Sequence, residues 1–199
     1  MVTVDIGTAI LAEAATRFTT RWPKVRVDVL LTPRVYDFTR DGIDLALRVT
    51  TSKLPDSVLV ARKVGTVAFH LFAAPSYIAR RGVPRSPADF TSFDWVGFRG
   101  VGGFGSAMDE VRIGERARIL CDDMFFLRET VRRGAGIGAM PAFVAEEDRK
   151  AGTLVRVLPR WTVTSGEVYL VHREQKKLPS RVVAFRDIVT EVLRQRPLG

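Results

Sequence analysis

The sequence is poor in the residues that build most inorganic and nucleophilic sites. Of its 199 residues, one is cysteine and two are histidine. A single thiol, Cys121, excludes an internal disulfide framework and any multi-cysteine metal cage. His70 and His172 each fall within a strand pattern, with no Cys, Ser or second His nearby in sequence, so both read as structural side chains. No apolar run reaches the roughly 20 residues that a membrane-spanning helix needs. The opening Met1-Val2-Thr3-Val4-Asp5 lacks a basic stretch followed by a long apolar core, so no secretory leader is expected and a cytoplasmic location is. Internal repeats and low-complexity tracts are missing as well.

What remains is an ordinary globular composition, 46% hydrophobic and 27% charged, long enough for one large domain or two small lobes. Lys and Arg number 31 against 22 Asp and Glu, a net charge of +9. The basic residues are scattered in pairs, Arg80-Arg81, Arg132-Arg133 and Lys176-Lys177, without the aromatic interleaving of a single-strand binder. The excess therefore reads as a solvated surface and a weak field toward anions rather than a nucleic-acid face.

Along the chain, Val2-Thr3-Val4 predicts a strand that ends in Ile6-Gly7-Thr8. Leu11, Ala14, Ala15, Phe18 and Trp22 then follow helical spacing until Pro23. Val25, Val27, Val29 and Leu31 alternate as a buried strand, Pro33 breaks it, and a short helix through Phe38 is expected. Asp41-Gly42 turns the chain into a strand, with Leu45, Leu47 and Val49 on one face and Asp44, Ala46 and Arg48 on the other. Further strands are expected at Val58–Lys63 and Val67–Ala73, a helix over Ser76–Arg81 behind Pro75, and a connecting loop over residues 82–90.

A second αβ series follows. Strands are expected at Trp95–Phe98, Ile119–Cys121, Ile137–Met140, Leu154–Leu158 and Glu167–His172. Helices are expected at Met124–Arg133, capped by Asp122 or Asp123, after Pro141, and at the C-terminus on Val182, Phe185, Ile188, Val189 and Val192. Strands alternating with helices predict α/β architecture with parallel strands, whose ligands sit where strand ends meet helix N-termini.

Motifs of catalysis do not assemble. Gly100-Val101-Gly102-Gly103-Phe104-Gly105 has the spacing of a dinucleotide loop, with Asp122 and Asp123 near the position of a ribose-binding acid. Gly114 interrupts the helix such a loop requires, so a flexible loop is expected. No Gly-Lys-Ser/Thr is present, and Met108 stands where a nucleophile elbow at Ser106 needs glycine. Asp122-Asp123 and Glu146-Glu147 are accounted for by helix capping and the helix dipole. No enzyme activity, cofactor or metal is expected. Hydroxyls at strand and helix ends, Thr8, Thr32, Thr50 and Thr51, instead offer hydrogen bonds to a small ligand.

Read together, several segments resemble the effector-binding domain of LysR-type transcriptional regulators. They are Phe18…Trp22-Pro23-Lys24-Val25, Asp41-Gly42-Ile43-Asp44-Leu45-Ala46-Leu47-Arg48, Leu54-Pro55-Asp56-Ser57 and Ala73-Ala74-Pro75-Ser76-Tyr77. Arg133-Gly134-Ala135-Gly136-Ile137-Gly138-Ala139-Met140-Pro141 and Gly152-Thr153-Leu154-Val155 continue in the same order, so the likeness covers almost the whole chain. It implies a two-lobed fold similar to type 2 periplasmic binding proteins, with residues 1–73 and 172–199 in one lobe, 74–171 in the other, two crossover strands and a cleft between. It also implies a small, often anionic effector and a homodimer or homotetramer. DNA would be bound only through an N-terminal winged helix-turn-helix domain that this sequence lacks. Carried onto these residues, the effector would meet Thr8, Thr32, Thr50, Phe104, Asp122 and Met124, with Arg48 or Arg62 as counter-charge. Thr50 departs from the family's frequent glycine, and the Gly102–Gly105 loop is not a family hallmark. A free-standing solute-binding protein of the same fold is the alternative.

Overall fold

The computed structural model describes residues 1–32, 34, 37–50, 59–99, 117–160, 164–175 and 178–198. They form two compact units, Met1–Thr66 with Glu167–Leu198, and Val67–Gly166. The chain passes between them inside two strands.

In the first unit, α1 starts at Val4. It runs as Val4–Ile6, widens into a π-helical stretch over Gly7–Leu11, and continues as Ala12–Arg21. The sequence pattern that predicts a strand over Val2-Thr3-Val4 is overruled after two residues: Thr3 takes the N-cap position and Asp5 supplies an acid to the first turn, both helix-starting signals. The apolar stripe is as expected, with Ile10, Ala14 and Phe18 buried. It packs on α5 (Ser180–Gln195), where Phe18 meets Phe185 edge-on with ring centroids 5.2 Å apart. Pro23 follows the last turn, as its missing N–H requires.

β1 (Ala46–Thr50) follows the Gly42 turn, where φ is +66° and a side chain would be strained. β1 pairs antiparallel with β7 (Thr164–Arg173), Ala46 opposite Val171 and Thr50 opposite Glu167. Ala46 and Leu47 are both buried, so the first half of β1 is covered on both faces rather than on one. The expected strand over Val25–Leu31 is not realised as a ladder. It touches the sheet through one parallel bridge, Val2 to Leu31. The reason is local: alternation supplies a buried face, but a ladder also needs a backbone running alongside, and among the described residues the bridged neighbour is Val2, after which the chain turns into α1.

In the second unit the hydrogen-bonded strand order is β6 (Val155–Val157), β2 (Leu59–Ala73), β5 (Ile137–Pro141), β3 (Trp95–Phe98) and β4 (Ala117–Cys121). β2 (Leu59–Ala73) is one 15-residue strand that merges the two expected at 58–63 and 67–73. Its second half pairs antiparallel with β5 (Ile137–Pro141) on one side and β6 (Val155–Val157) on the other. β3 (Trp95–Phe98) runs parallel to both β5 and β4 (Ala117–Cys121). Helix α2 (Pro75–Arg81) opens on Pro75 and closes at Gly82, as expected. The expected loop over 82–90 instead contains a 3-10 turn, Pro87–Ser92, started by a capping box between Ser86 and Asp89. Helices α3 (Met124–Arg132) and α4 (Ala142–Lys150) pack Leu127, Val131, Val144 and Ala145 against Phe72, Val96 and Met140. Gly138 of β5 permits that contact, since a Cβ there would lie 2.6 Å from Val131.

Asp123 is the cap of α3: its Oδ1 accepts from Phe126 N at 2.8 Å. Replacing Asp123 with Ala is expected to cost about 1 kcal/mol of stability, measured by urea denaturation, whereas Asp122→Ala, at an exposed neighbour, should cost less than half that.

Candidate functional site

The backbone of the first unit brings three extended segments to one edge. Val2 N donates to Leu30 O at 3.1 Å and Thr32 N donates to Val2 O at 2.8 Å. On the other side the Met1 ammonium donates to Leu45 O at 2.9 Å, and Leu47 N donates to Met1 O at 3.0 Å. Both are parallel pairings. The carboxyl ends of residues 1–3, 30–32 and β1 therefore lie on the same edge, where ligands of open α/β sheets bind. Thr32, Arg48 and Thr50 are thus carried by segments that end on that edge, and Gly7 lies against the Leu31 side chain.

Thr8, however, is inside the helical run rather than ahead of it. Its Oγ1 donates to Val4 O at 2.8 Å, and the first turn of the helix is formed by Val4–Ile6, ahead of Thr8. The residue in the position foreseen for Thr8 is Thr3. It stands at the N-cap with no side-chain cap bond, a role the sequence signals by a threonine two residues before Asp5. Thr32 Oγ1 accepts from Arg34 N at 3.1 Å, which holds the segment after the bridge in a tight turn.

Arg48 carries the electrostatics of this edge. It shares a face of β1 with Ala46 and Thr50, and its guanidinium lies over the Phe38 ring at 5.5 Å. Its Nε is buried without a hydrogen-bond partner, and burial pushes its pKa down from the ordinary value. Arg62 is exposed on β2, with no ion pair among the described residues.

In the second unit the parallel strands β3, β4 and β5 end beside the N-termini of α3 and α4. Asp122 is exposed there, and Met124 is buried in the core with Leu127 and Val96. Phe104 and the Gly100–Gly105 loop lie outside the described residues, as does most of the helix expected before Phe38.

The remaining nucleophile and base are held in inert settings. Cys121 Sγ is buried against Gly97 O and Asp123 O, and burial pushes its thiol pKa up. Ellman's reagent should therefore titrate this thiol slowly in the native chain and fully in denaturant; rapid native labelling would refute the packing described. His70 Nδ1 accepts from Arg156 Nη2 at 2.7 Å, which requires the ring to be neutral. Burial, then the Arg156 charge, lower the His70 pKa below its ordinary 6.5. On acidification below about 6.5 the unfolded chain takes up a proton before the folded one, so stability should fall toward the lower folded-state pKa. Urea denaturation across that range should show the fall, and His70→Gln should flatten it.

The family model described as the LysR substrate binding domain matches residues 1–194. The chain belongs to that family. It is 27% identical over 192 residues to the HTH-type transcriptional regulator PtxR of Pseudomonas aeruginosa, covering 94% of this chain and 61% of PtxR. It is 28% identical over 187 residues to the HTH-type transcriptional activator AaeR of Escherichia coli, covering 92% of this chain and 60% of AaeR. This LysR substrate-binding domain thus spans about three-fifths of the length of those curated relatives. Among solved structures it is similar to the CrgA regulatory domain of Neisseria meningitidis, with a TM-score of 0.79, 23% identity, and coverage of 100% and 96% of the two chains. Full-length AphB of Vibrio cholerae gives a TM-score of 0.78 at 20% identity, covering 96% of this chain and 66% of AphB. The fold is the type 2 periplasmic-binding-protein-like fold of these regulatory domains.

Proposed function

We propose that this LysR substrate-binding domain senses a small anionic metabolite at the carboxyl edges of its parallel strands and transmits its presence to transcription. The observation that carries the reading is Arg48. A half-buried guanidinium with an unpartnered Nε stands on β1, whose carboxyl end shares an edge with the ends of the segments carrying Thr3 and Thr32. An incoming carboxylate supplies the acceptor that Nε lacks, and charge-assisted bonds of this kind are the strong ones. The net charge of +9 favours encounter with anions. Asp5 sits in the first turn of α1, so the ligand's negative charge belongs nearer Arg48 than the helix end. Thr8 and Arg62 complete the candidate set in this unit.

The relatives are regulators of the HTH type, and DNA contact falls to the part of such proteins that this chain does not span. Oligomerisation falls to the domain itself, as a homodimer or homotetramer in the cytoplasm. Phe126 on α3 is 55% exposed and Leu120 and Leu31 are also exposed, apolar surface that pairing would cover. Phe126→Glu is expected to shift the sedimentation profile toward monomer without changing the far-UV spectrum.

The deciding experiment is a thermal-shift screen against aliphatic and aromatic carboxylates, amino acids and sugar phosphates. A ligand at 100 times its Kd adds about 2.7 kcal/mol to the folded state, a visible shift. For a carboxylate that binds, Arg48→Met should weaken affinity about 10- to 100-fold, and Thr3→Val about 5-fold. Comparing Thr3→Val with Thr8→Val identifies which threonine faces the ligand. Binding that survives Arg48→Met unchanged would sink the assignment of the anion to this edge.

A further inference from the structure

Two basic pairs that are far apart in the sequence meet at one end of the second unit. Arg80-Arg81 closes α2, and Arg132-Arg133 closes α3. Arg80 Nη2 donates to Gly134 O at 3.0 Å and its Nη1 to Ser76 O at 3.3 Å, which sets it against the residue after Arg133. Arg118, the second residue of β4, joins them through Asp94. Asp94 directly precedes β3 and Gly134 lies shortly before β5. The face therefore gathers at the amino ends of the parallel strands, the end away from Asp122 and Met124.

The carboxylates on this face are shared. Asp94 lies between two guanidiniums, with Arg81 Nε 3.8 Å from Oδ2 and Arg118 Nη1 3.3 Å from Oδ1. Glu129 also takes two: Arg132 donates through Nε and Nη2, both at 2.8 Å, and Arg133 through Nε at 2.7 Å. Asp148, 3.9 Å from Arg132, already faces Arg128 at 3.4 Å. Arg80 has no ion pair among the described residues. Backbone carbonyls and the Tyr77 ring, 5.7 Å from its guanidinium carbon, hold it in place. Helix dipoles account for part of the accumulation, since two helix ends carry roughly one unit of negative charge between them. Five arginines against Asp94 and Glu129 leave a surplus beyond that, and Arg118 ends no helix. The Arg118 and Arg133 side chains are 76% and 75% exposed.

We propose that this end of the second unit docks an acidic segment of a partner polypeptide. One guest carboxylate meets Arg80, which adjoins Arg81 in sequence and Arg133 through Gly134, and others take the outward sides of Arg118 and Arg133. The face's own carboxylates show the chemistry, each gripped by two guanidiniums in the forked manner that suits a planar carboxylate. Duplex nucleic acid carries a charge about every 1.7 Å and is held by many phosphate contacts, whereas this compact surplus suits a few carboxylates. Each exposed pair is weak and screened by salt, so affinity comes from several engaged together. The anion assigned to Arg48 belongs to the first unit, so the two proposals stand or fall separately.

The test titrates the chain into a rhodamine-labelled Gly-Glu-Asp-Glu-Glu-Asp-Glu-Gly peptide and reads fluorescence anisotropy. Its neutral counterpart, Gly-Gln-Asn-Gln-Gln-Asn-Gln-Gly, and a DNA duplex of arbitrary sequence form the other arms. Saturable binding of the acidic peptide at low salt is expected, about tenfold weaker at physiological ionic strength, with the neutral peptide not binding. Arg80→Gln/Arg133→Gln should weaken it about tenfold, and Arg26→Gln/Arg40→Gln, which removes the same charge from the first unit, less than twofold. Arg118→Gln, at a side chain that makes no hydrogen bond to the backbone among the described residues, should weaken it about threefold with an unchanged melting curve. No saturation by about 1 mM peptide, equal losses from the two double variants, or no loss in Arg118→Gln would each overturn the proposal. Tighter binding of the duplex than of the acidic peptide would overturn it in favour of a phosphate-binding face.

Discussion

The first unit depends on two residues. Met1 and Val2 exchange four backbone hydrogen bonds with segments that are distant in sequence, around Leu30 and around Leu45. These bonds fix the direction of three segments at once and so decide which residues share an edge. They also determine where α1 starts, because the chain must leave the sheet at Thr3 to pack Ile10 and Phe18 beneath it. Gly7 belongs to the same constraint: the helix passes so close to Leu31 that a Cβ would lie 2.3 Å from its Cδ2. The wider π-helical turn at Gly7–Leu11 occurs at this close passage.

The second unit reaches a similar edge by other means. Its parallel strands are held by ordinary ladders, and its helices are positioned by capping and by charge. Asp123 starts α3, while Arg128 and Arg132 of that helix reach Asp148 of α4 at 3.4 and 3.9 Å. Below them, Tyr77 OH accepts from Asp94 N at 2.8 Å and donates to Asp94 Oδ2 at 3.2 Å, joining the buried start of α2 to the approach to β3. Trp95, the largest fully buried side chain among the described residues, donates its indole N–H to Phe90 O at 2.9 Å, so a polar atom in the core has its partner.

Much of this was legible in the sequence. The helices at Ala12–Arg21, Pro75–Arg81, Met124–Arg132 and Ser180–Gln195 follow from apolar spacing closed by proline, glycine or a cap. The family was legible too, because many weak segments stood in the right order. What failed depended on partners. Val25–Leu31 has a strand's alternation, but among the described residues it is bridged only through Leu31 to Val2, so periodicity overstated its ladder. Val64–Gly65 looks like an interruption, yet β2 stays extended through it because nothing crowds Gly65. Thr8 was attractive because a hydroxyl beside glycine resembles a helix start, whereas Thr3 and Asp5 held the stronger signal one turn earlier. Met124 looked available beside Asp123, but the first position of a helix whose stripe faces the core is itself buried.

Among the described residues, three arginines bury an Nε without a hydrogen-bond partner, and their surroundings differ. Arg128 lies 3.4 Å from the Asp148 carboxylate and over the Phe125 ring, so its charge is compensated by a helix-to-helix strap. Arg156 directs another of its nitrogens at His70, which stays neutral to receive it. Arg48 has a ring face and no acceptor among the described residues. Burying a cation is costly until an anion or a set of acceptors compensates it. The first two arginines find that compensation in the chain. The third has a ring face and no such acceptor among the described residues, and that difference is what supports proposing an anion at this edge.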